Sequence, residues 1–300
     1  MLKASIDIGS NTTLLLIAKI KDGLMTIIED HSVVTALGRD LDKNKVFIES
    51  SMADTYKTLS EYKEILKRHR LSPEETIITA TEASRVALNA PEFYQRIKKE
   101  LGFDVQIISS DQEAYYTALG VSWMSKKNNN DLLHVLDIGG ASTEIIKLKC
   151  EPFSKLSSLS LPIGSVRATD WLEGNRYKEE LAAILSRVDL KAYEAEQLVC
   201  VAGSMTSVGA MIKGLNSFEA DLVNGLHLSL ADFNTFVNNL QKYSGTELEK
   251  KYPFLGKRAR TIYAGALIAR DLAVELKVKS LSISTAGLRH GTIIAGGIHV

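Results

Sequence analysis

Short apolar runs broken by small polar turns open the chain, and they predict strands rather than a strand feeding a helix. Leu2 to Asp7, Thr13 to Ile20 and Leu24 to Glu29 are the three expected strands. Asp22-Gly23, between the last two, is a strong tight-turn signal because that pair tolerates positive φ. The chain turns back at Gly9-Ser10-Asn11, which argues against a dinucleotide fold, where the glycine loop opens directly into a helix. From Glu49 to His69 the residues Met52, Tyr56, Leu59, Tyr62 and Leu66 recur at helical spacing, a stripe read as core packing. Thr76 to Ala80 then predicts a strand, Pro91 to Leu101 a helix, Val105 to Ile108 a strand and Asp111 to Trp123 a helix. The polar run Ser125 to Asp131 is the best domain boundary. Beyond it, strands are expected at Leu132 to Asp137, Thr143 to Lys149, Leu198 to Val201 and Leu281 to Ser284. Helices are expected at Leu230 to Tyr243, at Ala264 to Leu276 and from Leu288 onward.

The opening pattern recurs after the boundary. Asp7-Ile8-Gly9-Ser10-Asn11-Thr12-Thr13 aligns with Asp137-Ile138-Gly139-Gly140-Ala141-Ser142-Thr143, 130 residues further on. The same strand–glycine loop–strand context surrounds both, as a duplicated domain would leave behind. Alternating strands and helices, with antiparallel strands opening each half, predict an α/β fold with mixed sheets. The expected domains are residues 1–124 and 131–300, with 125–130 as linker.

Composition agrees with two domains: 300 residues are about twice the ~150 of a typical one. The chain is 45% hydrophobic and 24% charged, with mean hydropathy of −0.01, the profile of a globular protein in water. Lys plus Arg is 36 and Asp plus Glu is 36. Zero net charge makes a general nucleic-acid or anionic-membrane binder a poor reading, so any anion site must be local. No apolar stretch approaches the ~20 residues of a membrane span. The N-terminal apolar run contains Asp7 and lacks a signal-peptide pattern, so a cytoplasmic protein is expected. Cys150 and Cys200 match no metal or redox spacing and are expected as buried thiols. The basic run Glu249 to Arg260 reads as a solvated surface, with guidance of a polyanion as its alternative.

Two Asp-led turns rich in Gly, Ser and Thr suggest one anion site served by both. Glycine permits close approach, exposed N–H groups bind anions and hydroxyls add donors. A plain hairpin favours the same residues and is the alternative for either loop alone.

Asp7-Ile8-Gly9-Ser10-Asn11-Thr12 and Leu136-Asp137-Ile138-Gly139-Gly140-Ala141-Ser142-Thr143-Glu144 resemble the two phosphate motifs of the actin/hexokinase/Hsp70 superfamily. Within it the chain resembles the exopolyphosphatase and guanosine pentaphosphate phosphohydrolase (Ppx/GppA) family. Further segments agree in order: Ala80-Thr81-Glu82-Ala83-Ser84-Arg85 with Asn89, Ile108-Ser109-Ser110-Asp111-Gln112-Glu113-Ala114, and Leu161-Pro162-Ile163-Gly164-Ser165-Val166-Arg167. Tyr263 to Ile268 and Ser284 to Gly291 match the family's C-terminal pair.

The resemblance implies two homologous ribonuclease H-like (actin-like ATPase) domains with an interdomain active-site cleft. It implies a phosphohydrolase acting on inorganic polyphosphate or guanosine pentaphosphate, and it leaves room for a homodimer. The reactive phosphate would lie between Ser10, Asn11 and Thr12 on one side and Gly139, Gly140, Ala141 and Ser142 on the other. Glu113 would orient or deprotonate the attacking water, Arg85 would touch phosphate, and Asp137 and Glu144 would serve Mg²⁺ or another divalent cation.

Each residue also has a plainer reading. Ser110-x-x-Glu113 is a capping box in its own right. Arg85 could be a solvated helix residue. Asp7 and Asp137 precede glycine turns, where Asp is favoured anyway. The chain also departs from the family pattern: Ala141 replaces a loop glycine, and Val201-Ala202-Gly203-Ser204 replaces paired glycines followed by Thr. Asn224-Gly225 stands where His-Gly is common, and Arg260 where an acid is frequent. The family's long helical C-terminal extension is not matched, so a short two-domain member is expected. Rival readings are an ATP-dependent kinase of the same superfamily and a non-catalytic polyphosphate or nucleotide sensor.

Overall fold

The N-terminal apolar runs form a three-stranded antiparallel start. β1 (Leu2–Ile8) pairs with β2 (Thr12–Lys21), and β2 pairs with β3 (Leu24–Val34). Asp22 and Gly23 have φ of 50° and 73°, the two positive values of a type I′ hairpin turn. The computed structural model describes residues 2–125 and 132–299. The linker expected at 125–130 therefore lies outside the described residues, except for Ser125, the last residue of a helix.

Helices α1 (Leu41–Asn44) and α2 (Glu49–Arg68) follow the hairpin. Of the expected α2 stripe, Leu59, Tyr62 and Leu66 are buried, and the Tyr62 hydroxyl donates to the Thr13 carbonyl at 2.8 Å. β4 (Ile77–Ala80) then runs parallel to β1. It is followed by α3 (Glu82–Val86), α4 (Ala90–Leu101), β5 (Gln106–Ile107) and α5 (Ser110–Ser125). The first sheet has the order β3-β2-β1-β4-β5. Ile6, Ile8, Leu15, Leu59, Phe93 and Phe103 anchor its core.

The second half repeats this plan. β6 (Leu132–Ile138), β7 (Thr143–Lys149) and β8 (Ser154–Leu161) form an antiparallel meander. After α6 (Ser165–Glu173) and α7 (Tyr177–Leu185), β9 (Gln197–Val201) runs parallel to β6. Next come α8 (Ala202–Ile212), α9 (Ala220–Val223), β10 (His227–Ser229), α10 (Leu230–Leu240) and α11 (Gly245–Lys251). A 3₁₀ stretch at Pro253–Arg260, α12 (Ile262–Glu275) and β11 (Ser280–Ile283) complete it. The second sheet has the order β10-β11-β9-β6-β7-β8, so β8, β7, β6, β9 and β11 stand where β3, β2, β1, β4 and β5 stand in the first.

The duplication extends to a defect. The β2–β3 register shifts between Ile17 and Ala18, and the β7–β8 register shifts between Lys147 and Leu148. These positions are again 130 residues apart. The skipped residues, Ile28 and Leu156, are both exposed. A bulge at matching positions is a feature of the shared plan and not an accident of one strand.

Packing divides the chain into residues 1–120 with 288–300, and residues 121–287. The second domain expected at 131–300 loses its last segment, because α13 (Leu288–Ala295) belongs to the first unit. The cause is apolar cover. β2 turns Leu16 and Ala18 away from the main core, and Ile293 packs on them. Ser5 and Thr292 also share a 2.7 Å hydroxyl hydrogen bond. A Cβ on Gly291 would lie 1.8 Å from the Tyr116 carbonyl oxygen, so α13 sits against the α5 backbone with no side chain between. Among the described residues, no helix is long and apolar enough to cross a membrane.

Candidate phosphate-handling site

Both glycine loops are closed by the same bond. The Gly9 N–H donates to the Thr12 carbonyl at 2.9 Å, and the Gly139 N–H donates to the Ser142 carbonyl at 3.0 Å. No helix follows either loop; each leads into the second strand of a hairpin.

The loop carbonyls are tied down. In the second loop, the Ser165 N–H donates to Gly139 O at 2.9 Å, and the Val166 and Arg167 N–H groups donate to Gly140 O at 2.8 and 3.3 Å. These are the first three N–H groups of α6, which have no acceptor inside their own helix. Arg167 Nη1 adds bonds to Ala141 O at 2.7 Å and Pro162 O at 2.9 Å. In the first loop, the Gly38 N–H donates to Ser10 O at 2.7 Å, and the Thr35 and Ala36 N–H groups donate to Asn11 O at 3.1 and 2.9 Å. The C=O and N–H of a trans peptide point in opposite directions. Carbonyls drawn inward at 10–11 and 139–141 therefore turn the N–H groups of Asn11, Thr12, Gly140, Ala141 and Ser142 the other way. Successive amides presented like this make an anion-binding concavity.

Two glycines brace the loops. A Cβ on Gly164 would fall 2.4 Å from Ala141 N and Gly140 C, and one on Gly38 would fall 2.9 Å from Ser10 Cβ. Gly164 lies in a segment singled out from the sequence, whereas Gly38 was missed. Its signal was available: Leu37-Gly38 follows the third strand of its hairpin as Ile163-Gly164 follows the third strand of the other.

Asp137 and Glu144 sit directly opposite each other across β6 and β7, so their side chains share one face of the sheet. That face is not the main core face, which carries Leu136 and Ile145. Glu144 is buried, and its Oε1 accepts from the Ser160 hydroxyl at 2.8 Å. In the first unit Asp7 stands opposite Leu14, so this carboxylate pair belongs to the second unit alone.

Glu113 does not close a helix cap. The reciprocal bonds of the box join Ser109 and Gln112: the Ser109 N–H donates to Gln112 Oε1 at 3.0 Å, and the Gln112 N–H donates to Ser109 Oγ at 3.2 Å. The capping reading is thus shifted by one residue from Ser110 and Glu113. Glu113 instead accepts on Oε2 from Arg85 Nη1 and Nη2, each at 3.1 Å. Arg85 is not a solvated residue; its side chain is 21% exposed and that of Glu113 is 13% exposed. Burial works against the Arg85 charge, but Glu113 and Glu82 outweigh it and hold the guanidinium above its ordinary pKa. Asn89 plays a framework part, accepting from Phe47 N–H at 2.8 Å and donating to Phe47 O at 3.1 Å.

The first-unit residues Ser10, Asn11, Thr12, Arg85 and Glu113 all follow the C-terminal ends of the adjacent parallel strands β1, β4 and β5. In α/β sheets that edge is where ligands bind. In the second unit, Gly139 to Ser142 follow β6 and Gly203 follows β9, at the corresponding edge.

The basic run Glu249 to Arg260 is not uniformly solvated. Arg260 is exposed and pairs with Asp170 and Glu173, whereas Arg258 turns inward and donates from Nη1 to Ser207 Oγ at 3.0 Å. Burial lowers its pKa to about 10, which leaves it charged at neutral pH. Its Nη2 lies 2.8 Å from where a Cβ on Gly203 would be. Cys150 and Cys200 are buried and outside any disulfide, and burial pushes the Cys200 thiol up to about 12.

Two hairpin-led mixed sheets built on one repeated plan, each with a glycine loop at its first turn, define the actin-like α/β class. An Aquifex aeolicus Ppx/GppA structure superposes with a TM-score of 0.79 at 30% identity, covering 98% of this chain and 97% of that one. The model of the Ppx/GppA phosphatase family matches residues 16–296, and the chain belongs to that family.

Among curated relatives, a bifunctional 3-dehydroquinate synthase/phosphatase of Fusobacterium nucleatum is 27% identical over 90% of this chain and 43% of its own length. A guanosine-5'-triphosphate,3'-diphosphate pyrophosphatase of Vibrio atlanticus is 32% identical over 69% of this chain and 40% of its own. Exopolyphosphatase 2 of Mycobacterium tuberculosis is 26% identical over 92% of this chain and 91% of its own. The chain thus spans less than half the length of the first two and nearly all of the third.

Proposed function

We propose that the chain is a phosphohydrolase that releases orthophosphate from the end of inorganic polyphosphate or from the 5′-terminal phosphate of guanosine pentaphosphate. The observation that carries this reading is the pair of loops, whose carbonyls are bound inward and whose amides are turned outward. Relatives named for each substrate stand on either side of the choice. That both loops serve one phosphate, with Ser10, Asn11 and Thr12 opposite Gly139 to Ser142, is part of the proposal and rests on the family resemblance.

A transferred phosphoryl group passes through a loose transition state with charge on its oxygens, so catalysis is mainly positioning and charge stabilisation. The loop amides supply fixed donors for those oxygens. Glu113, whose Oε2 accepts from Arg85 while Ser109 and Gln112 make the cap, is the group that would orient and deprotonate water. Asp137 and Glu144 fit a magnesium ion, which needs only one or two carboxylates and keeps several waters. Among the described residues no cluster of three His, Cys, Asp or Glu is built for a tighter metal cage. Such an ion would neutralise charge on the phosphate.

The kinase reading needs an adenosine pocket at Val201 to Met205. The Arg258 guanidinium covers Gly203 there, which weighs against it. The test is a phosphate-release screen across polyphosphate, guanosine pentaphosphate, ATP and GTP, with Mg²⁺ and with excess chelator. Release from polyphosphate or pentaphosphate, lost in chelator, is expected. Binding without turnover would favour the sensor, and transfer to a sugar would favour the kinase.

A further inference from the structure

Arg85 has no donor to spare. A guanidinium carries five N–H groups. Nε donates to Glu82 Oε2 at 3.2 Å and Nη2 to the same oxygen at 2.9 Å. Nη1 and Nη2 each donate to Glu113 Oε2, and Nη1 donates to the Ile108 carbonyl at 2.6 Å. A phosphate oxygen could bind Arg85 only by displacing one of these acceptors. The arrangement is therefore built to hold Glu113 and not to present an open fork to an anion.

Glu82 decides which way the fork faces. It is the first residue of α3, three before Arg85, which puts the two side chains on one face of that helix. It occupies the Nε–Nη2 edge, the edge that fits bidentate anions well. With that edge taken, the Nη1–Nη2 edge is directed at Glu113. The Ile108 carbonyl, just after β5, fixes the remaining Nη1 hydrogen. One guanidinium thus ties together the segments that follow β4 and β5.

We propose that Glu82 is a positioning residue for the reaction: it locks Arg85 onto Glu113 and keeps that guanidinium from being drawn away by the substrate phosphate. The inference rests on the phosphohydrolase reading for its kinetic part only. It has a charge consequence as well. Two carboxylates share one guanidinium, so Glu82 is a like charge beside Glu113 and opposes its ionisation.

The experiment compares Glu82→Gln and Glu82→Ala with the parent in the full chain. The Glu113 carboxyl titration is followed by ¹³C NMR, and kcat and KM for phosphate release are measured alongside. Gln keeps an acceptor for Arg85 but removes the like charge. Glu113 should then titrate lower, and the acid limb of kcat/KM should move with it. Ala leaves the Nε–Nη2 edge open; kcat should fall about tenfold or more while KM stays level or drops. In a Glu113→Gln background the Ala substitution should cost little further, because the two act as one unit. An unmoved Glu113 titration in Glu82→Gln would overturn the inference, whatever the parent's activity. So would parental kcat in a folded Glu82→Ala protein. A parent that releases no phosphate but shows the titration shift would defeat the functional reading and leave the positioning intact.

Discussion

Glu113 faces two demands that one substitution separates. Because Ser109 and Gln112 make the cap, Glu113→Gln leaves the helix start alone, and the amide oxygen still accepts from Arg85. Stability should change by no more than about 1 kcal/mol. An amide has no useful proton affinity, so the rate of phosphate release should fall ~10²- to 10⁴-fold. Melting curves and phosphate-release rates check both; a variant that keeps its rate removes Glu113 from the proposed chemistry. Sequence alone could not place the cap, since Ser109-x-x-Gln112 and Ser110-x-x-Glu113 are equally good boxes one residue apart. Ala202 is a second case at this scale. It has φ of 68° at the start of α8, where the family pattern has glycine. A Cβ in the left-handed region costs roughly 1–2 kcal/mol, and glycine's extra freedom in the unfolded chain returns part of it. Ala202→Gly should therefore raise stability by up to about 1 kcal/mol, seen as a higher urea midpoint at unchanged slope. A lower midpoint would show that the site is not strained. The departure was visible in the sequence, but its cost depends on a φ that composition does not carry.

Strands and hairpins with local signals were legible. Asp22-Gly23 announced its turn, and Thr143–Lys149 has the limits its pattern suggested. β8 was not anticipated. Leu156 and Leu159 are three apart, which a period of two cannot give; Leu156 is the exposed residue skipped at the bulge, while Leu159 and Leu161, two apart, share a face. α6 escaped as well, because its worth lies in where its first amides point. That geometry makes Gly164 a sensitive position. A Cβ 2.4 Å from the Gly140–Ala141 peptide must displace the loop, so Gly164→Ala should cost about 2 kcal/mol or more and abolish phosphate release. Gly23→Ala is the control. Its Cβ would meet nothing within 4 Å, so it should show only the left-handed penalty of about 1 kcal/mol and keep its activity. Equal losses of activity in the two variants would mean that the brace at Gly164 does not set the loop.

At the scale of the whole chain, seven residues and their echo 130 positions later were enough to expose the duplication, because both copies keep the Asp-Ile-Gly turn. The return of α13 to the first unit was hidden, since chain order says nothing about which apolar face a late helix will cover. That return has a pH cost. His290 on α13 is buried, and burial, with the nearby Arg289 charge adding and Asp30 opposing, pushes its pKa down to about 4 from an ordinary 6.5. The folded protein holds it neutral, while the unfolded chain takes up a proton near 6.5. Its contribution is therefore fully present above pH 6.5 and lost as pH falls toward 4, roughly 3 kcal/mol in all for a shift of this size. His134 on β6, also lowered by burial, adds a loss of the same sign in the other unit. Urea unfolding between pH 7.5 and 4.5 should show the parent weakening steeply below 6.5. His290→Gln, which cannot take up the proton, should start less stable and lose less over the same range. If both proteins weaken with the same slope, the buried imidazole is not what makes the docking of α13 sensitive to acid.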